Sequence, residues 1–490
     1  MLKSIHKVLE AFDEHSVLYC HWKSNEHLQE ALSGDTDLDI LFLPEQRALV
    51  DRVLNECGVK RFRSVPLMQY NAIEDYIGFD EDTIKIWHLH THYRMTMGEK
   101  HLKGYTITPW GKHIINFKIL DTSGIYVSCP EVELVLLLSR MALKLRIRDF
   151  GQKIGKDDMA EYYWLLERCN KKELYSHSVS MLGQNGAELL YKLCDGNLSK
   201  KNQLRQLRKN VLKELRCYTG YSSAGSRFMR TKREFFWLYG GIKRRLNMNS
   251  CTPYRRISPA GGSAIVFLGC DGAGKSTSLD YVKNELNKKI DVKTIYLGSG
   301  DGTSSLFRKP MKLVAKKIGG KGLGHAVEKE YRENKSISLK SRLYSVAKLL
   351  WAVTLAHEKK SKLKEMTKAR NNGMIVLVDR YPQTQNPGYS DGPLLTRYLT
   401  SKNGIKKRIA QWEFSIYKSA ENNMPDLMLK LTVPTEIAVE RKPEMTAEEI
   451  NQKKKAVLAM NTALRVKEID TSCPMNDSLR MIMHEIWQII

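Results

Sequence analysis

The chain is poor in the features that mark a secreted or membrane-spanning protein. Its nine cysteines are odd in number and form no C-x-x-C pair, which argues against a disulfide frame and against a zinc ribbon. The opening stretch MLKSIHKVLEAFDEH has no apolar signal core. The greasiest segment, VELVLLLSRMALKL (132–145), is interrupted by Glu133, Arg140 and Lys144 and is too short to cross a bilayer. There is no internal repeat and no low-complexity tail. These absences predict a cytoplasmic protein with reduced thiols and no transmembrane segment.

Acidic side chains are also scarce, 54 Asp and Glu against 79 Lys and Arg, for a net charge of +25. Such a balance implies an acidic partner: a nucleotide, a nucleic acid, an anionic polymer or a membrane face. The excess is concentrated in residues 200–256, where 16 cations are opposed only by Glu214 and Glu234.

The 490 residues leave room for about three domains of ordinary size, and composition divides them into three zones. Residues 1–125 mix short β-rich runs (LDILFL, TIKIWHLH, HIINFKIL) with helical stretches and read as a small α/β domain. Residues 126–258 read as a basic helical connector, with PEVELVLLLSRMALKLRIRDF and DDMAEYYWLLERC as its clearest helices. The stretch ISPAGGSA (257–264) reads as a linker, after which strands and helices alternate through 259–490.

The third zone carries the most specific motif. In VFLGCDGAGKSTSLDYV (266–282), Gly269, Gly274, Lys275 and Ser276 complete G-x-x-x-x-G-K-[ST] behind an apolar strand. Leu279, Val282 and Leu286 recur at helical spacing, so the glycine loop is expected to open into a helix N-terminus, where unpaired N–H groups favour phosphate. There Lys275 would reach the β- and γ-phosphates and Ser276 would ligate Mg²⁺, with Thr277 assisting. A G-protein would carry N-K-x-D, and a motor ATPase would end a strand in two acids. This chain has neither, but MIVLVDRYP (374–382) closes an apolar strand with Asp379, suited to Mg²⁺ or to orienting an acceptor, followed by Arg380, suited to clamping phosphate. Farther on, PDLMLKLTVPTEIAVERK predicts a strand over 427–433, a helix from Pro434, and Arg441 and Lys442 at that helix's end.

LGCDGAGKST, VDRYP and PDLMLKLTVPTEIAVERK together resemble the thymidylate kinase family of nucleoside monophosphate kinases, across roughly 259–490. The resemblance implies a P-loop kinase fold with a parallel sheet, ATP held by the loop Gly269, Asp271, Gly272, Ala273, Gly274, Lys275, Ser276 and Thr277, and a lid supplying Arg441 and Lys442. It places Asp271 near the acceptor, and because Gly272 stands where some members carry arginine, the lid pair becomes the transition-state cation. Two segments depart from the family. Where it has an arginine-containing acceptor loop this chain reads SGDGTSS, and where a serine and Tyr-Gln read thymine it reads PQTQNPGYSDGPLL. Asp301, Tyr389 and Asp391 are then candidates to contact a different acceptor, with DGP equally readable as a plain turn.

The first zone holds a second constellation. HWKSNEHLQEALSGDTDLDILF (21–42) predicts a turn at Ser24, a helix over 26–32, and Asp37 and Asp39 on one face of a strand, a spacing suited to Mg²⁺ and a triphosphate. This resembles the nucleotidyltransferase fold, with Lys-Ser-Asn in place of the family's Gly-Ser turn. The strand expected to bring a third carboxylate instead carries His88, His90 and His92, whose neutral imidazoles can also ligate a metal. Competing readings are a histidine–metal hydrolase, a domain that binds without catalysis, and a solvated strand edge.

As a whole the chain resembles bacterial fusions of a nucleotidyltransferase-like and a thymidylate-kinase-like module. Two function classes follow. One is an ATP- and Mg²⁺-dependent kinase of a nucleotide or other small phosphorylated acceptor, coupled to a domain that binds or transfers a nucleotide. The other is an ATP-switched protein that binds nucleic acid or another polyanion through 200–256, where Tyr218, Tyr221, Phe228, Phe235, Phe236 and Trp237 lie among the cations.

Overall fold

The computed structural model describes residues 1–149, 151–196, 198–246, 248–298, 339–387 and 391–490. They form two compact units, one of Met1–Met248 with Tyr254–Pro259, the other of Asn249–Pro253 with Ala260–Ile490. Zones 1–125 and 126–258 thus lie almost entirely in the first unit.

The first unit is built on strands β1 (Tyr19–His21), β2 (Asp37–Phe42), β3 (Lys60–Ser64), β4 (Ile73–Asp80) and β5 (Lys85–His92), with shorter strands β6 (Met95–Met97), β7 (Tyr105–Ile107), β8 (Lys118–Leu120), β9 (Tyr126–Ser128) and β10 (Arg256–Ile257). All but β6 and β7 join one mixed sheet in the order β10-β3-β4-β5-β2-β1-β9-β8. β2 and β5 run parallel at its centre, with Asp37 beside His88 and Asp39 beside His90. The helix Lys3–Glu14 turns Ile5, Val8, Leu9 and Phe12 inward at helical spacing, against Tyr19, Phe42 and Trp87. From Pro130 to Arg245 the regular elements of the described residues are all helices, joined by short turns. Pro130–Lys144 is buried along nearly its whole length and is the centre of the second core.

Three local expectations change. HIINF lies at the end of a helix, Thr108–Asn116, because Pro109 begins it and Trp110, Ile114 and Ile115 fall on one buried face, leaving only Lys118–Leu120 as strand. The helix expected over 26–32 is a short 3₁₀ turn, Asn25–His27, followed by Leu28–Leu32. The start of the expected linker is not free chain: Arg256 and Ile257 pair antiparallel with Ser64 and Arg63 at the sheet edge.

The second unit holds an all-parallel sheet in the order β12-β13-β11-β14-β15, from β11 (Ala264–Gly269), β12 (Val292–Tyr296), β13 (Ile375–Asp379), β14 (Leu427–Thr432) and β15 (Arg465–Asp470). The near-continuous apolar runs AIVFLG, IVLVD and LMLKLT form its three central strands, as burial on both faces requires. β11 feeds the glycine loop and then the helix Lys275–Leu286, giving the parallel sheet and strand–loop–helix order expected for this region. Among the described residues no helix is long and apolar enough to cross a membrane.

Candidate functional site

The glycine loop works because two of its residues adopt left-handed backbone. Gly272 has φ 85° and Gly274 φ 77°, conformations that cost other residues energy. A Cβ on Gly272 would also meet the Ala438 carbonyl oxygen at 2.9 Å, so glycine lets the helix Thr435–Arg441 approach the loop. Lys275 opens the following helix and its Nζ donates to the Cys270 carbonyl at 2.7 Å, reaching back across the loop. Burial and the neighbouring Arg380 both push its pKa down.

Around this loop lies a cavity of about 670 Å³ whose walls bring together Asp271, Gly272, Gly274, Lys275, Ser276 and Thr277 with Asp379, Arg380, Arg441 and Lys442. Gly269 and Ala273 stand behind it, at the end of β11 and buried in the loop. Ten of the sequence candidates, from three separate segments, thus surround one space.

Each wall has a distinct electrostatic character. Asp379 ends β13 with Oδ1 buried and, among the described residues, without a hydrogen-bond partner; burial pushes its carboxyl up, against the pull of Lys275 and Arg380. Arg380 adopts φ 67°, a left-handed conformation that costs a non-glycine residue roughly 1 kcal/mol or more. That turn sets its guanidinium 3.6 Å from Asp271 and 3.7 Å from Asp391. Asp391, itself at φ 64°, has a buried side chain that also lies 3.4 Å from Lys359 Nζ. Arg441 donates to the carbonyls of Gly272 at 3.1 Å and Thr471 at 3.2 Å, tying the loop to the end of β15. Lys442 is half exposed and 3.6 Å from Glu444. Asp301, Tyr389 and the segment SGDGTSS lie outside the described residues.

Sequence reasoning missed three contributors. Thr471 and Cys473 line the cavity, with Thr471 Oγ1 donating within 3.2 Å of the Ala273 carbonyl. Their signal was weak because the preceding strand, RVKEID, is polar enough to hide as loop. Lys453, from the run KKK, pairs with Asp271 and, after the upward push of burial, is the main cause that lowers its pKa.

The first unit contains a separate cluster. Asp39 is buried; His90 Nδ1 donates to its Oδ1 at 3.0 Å, His92 Nε2 donates to the same oxygen at 3.3 Å, and Lys23 Nζ lies 3.0 Å from Oδ2. Burial alone would raise the Asp39 pKa, but Lys23 and the two imidazoles hold it well below the usual carboxylate range. Burial pushes His92 down to about 3, so the ring is neutral at physiological pH. Asp37 and His88 form a different set: His88 sits between Asp37 and Asp75, 2.9 Å from each. Asp75 is also bound by Arg256 Nε at 2.8 Å. The expected four-residue metal set, Asp37, Asp39, His88 and His90, is therefore divided, and the group that converges is Asp39, His90 and His92. Ser24 has φ 57° and begins the short turn next to this cluster in sequence. The turn is anchored by Glu133, whose carboxylate accepts from Asn25 N at 3.0 Å and Asn25 Nδ2 at 2.6 Å; burial pushes Glu133 up to about 7.

Part of the basic window serves this unit internally. Arg233 is buried and donates to the carbonyls of Leu102 and Gln69, while Arg208 and Arg230 both meet Glu99.

No family model matches the chain. It is 25% identical over 250 residues to YghS of Escherichia coli strain K12, named an uncharacterized ATP-binding protein, a match covering 50% of this chain and 97% of that protein. It is 26% identical over 220 residues to YghR of the same strain, also named an uncharacterized ATP-binding protein, covering 44% of this chain and 83% of the relative. Solved structures similar to it include the thymidylate kinase of Candida albicans, with 17% identity and a TM-score of 0.27 over 46% of this chain and 92% of the other. The thymidylate kinase of Ehrlichia chaffeensis has 15% identity and a TM-score of 0.23, over 46% of this chain and 99% of the other.

Proposed function

We propose that residues 259–490 form an ATP- and Mg²⁺-dependent phosphotransferase of the nucleoside monophosphate kinase type, acting on a nucleotide or related small phosphate other than thymidylate. The observation that carries this reading is the cavity in which Lys275, Ser276, Asp379, Arg380 and Arg441 converge, with one Asp379 oxygen buried and, among the described residues, without a hydrogen-bond partner. Two E. coli relatives named as ATP-binding proteins support the nucleotide half of it.

Mg²⁺ takes oxygen ligands, and the Ser276 hydroxyl with the Asp379 carboxylate fits that preference. When bound, the ion neutralises charge gathering on phosphate oxygens. The chain's own groups do the rest: N–H groups at the start of Lys275–Leu286 cradle phosphate, Lys275 leaves the Cys270 carbonyl for it, and Arg380 clamps the acceptor's anionic end. Arg441, already bound to the Gly272 carbonyl, stands where it can turn toward the transferring group.

The acceptor assignment rests on the segment after Arg380. Tyr381 is buried with its hydroxyl donating to the Asn423 carbonyl at 2.6 Å. Gln383 is wholly buried and donates to the Asn386 carbonyl at 3.1 Å. Tyr381 is thereby tied to the end of the helix Gly404–Asn422 and Gln383 to its own loop, whereas Asp391 reaches Arg380 from the same segment.

For residues 1–125 we propose a nucleotidyltransferase-like domain that binds a nucleotide, with 126–258 as its helical companion. A second reading, an ATP-switched polyanion binder, keeps the cations of 200–256 that are not held internally.

Incubating the protein with ATP, Mg²⁺ and a panel of nucleoside monophosphates and sugar phosphates, with products read by mass, tests the first reading. A phosphorylated product dependent on Lys275 supports it, and ATP cleavage with no acceptor product overturns it. Thymidylate as the best acceptor would overturn the acceptor assignment alone. The polyanion reading predicts affinity for DNA or polyphosphate that falls by orders of magnitude between low and moderate salt.

A further inference from the structure

A buried carboxylate that receives two imidazole nitrogens on one oxygen has a second possible use. In the first unit a donor atom from each of Asp39, His90 and His92 lies within 4.8 Å of the others. Ligands placed about 2.0–2.2 Å from a common ion are themselves roughly 3–4.4 Å apart, so small side-chain adjustments bring the three into register. The backbone enforces the grouping: parallel pairing of β2 with β5 sets Asp39 beside His90, and the two-residue strand period returns His92 to the same face.

The two histidine sets differ in how they are fixed. His88 has a carboxylate 2.9 Å from each ring nitrogen, Asp37 and Asp75, although its Nδ1, like that of His92, makes no hydrogen bond among the described residues. His92 is wholly buried, yet among the described residues its Nδ1 has no hydrogen-bond partner. None of the described residues fixes the His92 tautomer from that side, so Nε2 can turn from donating a proton to Asp39 to offering its lone pair. Two imidazoles and one carboxylate suit a borderline divalent transition ion better than Mg²⁺, which prefers oxygen. Lys23, on the other Asp39 oxygen at 3.0 Å, leaves Oδ1 for the ion and adds positive charge that favours an anionic fourth ligand.

We infer that Asp39, His90 and His92 bind one divalent ion of the zinc class, with a coordination position left for a phosphate-bearing ligand. The site deepens the nucleotide-binding reading of the first unit and is independent of the phosphotransferase reading of the second.

The test uses the full chain, kept reduced, stripped with a chelator and dialysed against Co²⁺, followed by metal analysis and absorption spectroscopy. The expected result is one Co²⁺ per chain with visible d–d bands and no thiolate charge-transfer band, displaced by Zn²⁺ and not by excess Mg²⁺. His92→Gln and His90→Gln should each lose that ion, and His27→Ala, at an exposed histidine, should keep it. Because His90 is only partly buried, His90→Gln decides the matter should His92→Gln fail to fold. No uptake by the wild type, uptake carried by thiolate bands, or equal uptake by the wild type and His90→Gln would overturn the site. Lys275→Ala should retain the ion while losing phosphotransfer, so the two readings fail separately.

Discussion

The phosphate-loop cavity and the Asp39 cluster differ in how their polar groups are satisfied. In the cavity, backbone and side chains leave capacity unused: among the described residues Asp379 keeps an oxygen without a hydrogen-bond partner, and Lys275 donates to a carbonyl of its own loop. In the cluster, the groups face one another, with Lys23, His90 and His92 all directed at Asp39. An arrangement of the first kind is ready for an anion and costs little to open. One of the second kind is stable alone and must exchange partners to bind anything. Substitutions in the cavity should therefore reduce chemistry and spare folding, while those in the cluster should do the reverse.

The largest expected effect is at Lys275. Lys275→Ala should lower phosphoryl transfer by about three orders of magnitude, since a lost transition-state cation is worth 10³ or more, with an unchanged circular dichroism spectrum and unfolding midpoint. A variant that unfolds would erase the contrast between the regions. Asp39→Asn in the metal-free protein should cost the first unit about 3 kcal/mol, the lower end for breaking a buried ion pair. Denaturant titration followed by a probe in that unit measures the loss, and ATP turnover should be unaffected.

A pH effect sharpens the comparison further. Glu133 rises from an ordinary 4.5 to about 7 in the folded protein. Between those values the native state binds the proton more tightly than the unfolded chain, so stability from this group is full below 4.5 and is lost as pH rises toward 7. The loss approaches about 3 kcal/mol. Relative to the wild type, Glu133→Gln should remove that slope from the unfolding free energy measured across pH 4 to 8; an unchanged slope would show that folding does not raise the Glu133 pKa. The smallest effect is at a helix cap of the second unit. Asn403 accepts from Ile405 N and Lys406 N, both at 3.1 Å, and Asn403→Ala should cost about 1 kcal/mol, seen as a small shift in thermal midpoint with turnover retained.

The two sites were unequally legible for a physical reason. A phosphate loop must present consecutive N–H groups at a helix start, so Gly269 to Thr277 had to be contiguous and announced themselves. Asp379 and Arg380 were readable because they end an apolar strand. Lys453 and Thr471 were not, since one lies in an ordinary basic run and the other follows a strand half exposed at the sheet edge. In the first unit the D-x-D and H-x-H-x-H patterns were visible, but their pairing was not. Which aspartate meets which histidine depends on the register of β2 on β5, and a shift of one residue would have turned every side chain to the other face.

The sequence alone determined the apolar strand cores, the phosphate loop and its helix, and the concentration of positive charge, because each depends on neighbours in the chain. Tertiary structure alone decided that Arg441 binds the loop carbonyl of Gly272, that Arg233 is buried against Leu102 and Gln69, and that His92 rather than Asp37 joins Asp39 and His90. Those outcomes join residues far apart in sequence, and no local propensity fixes them. They are set by strand order, register and the need of each buried polar group for a partner.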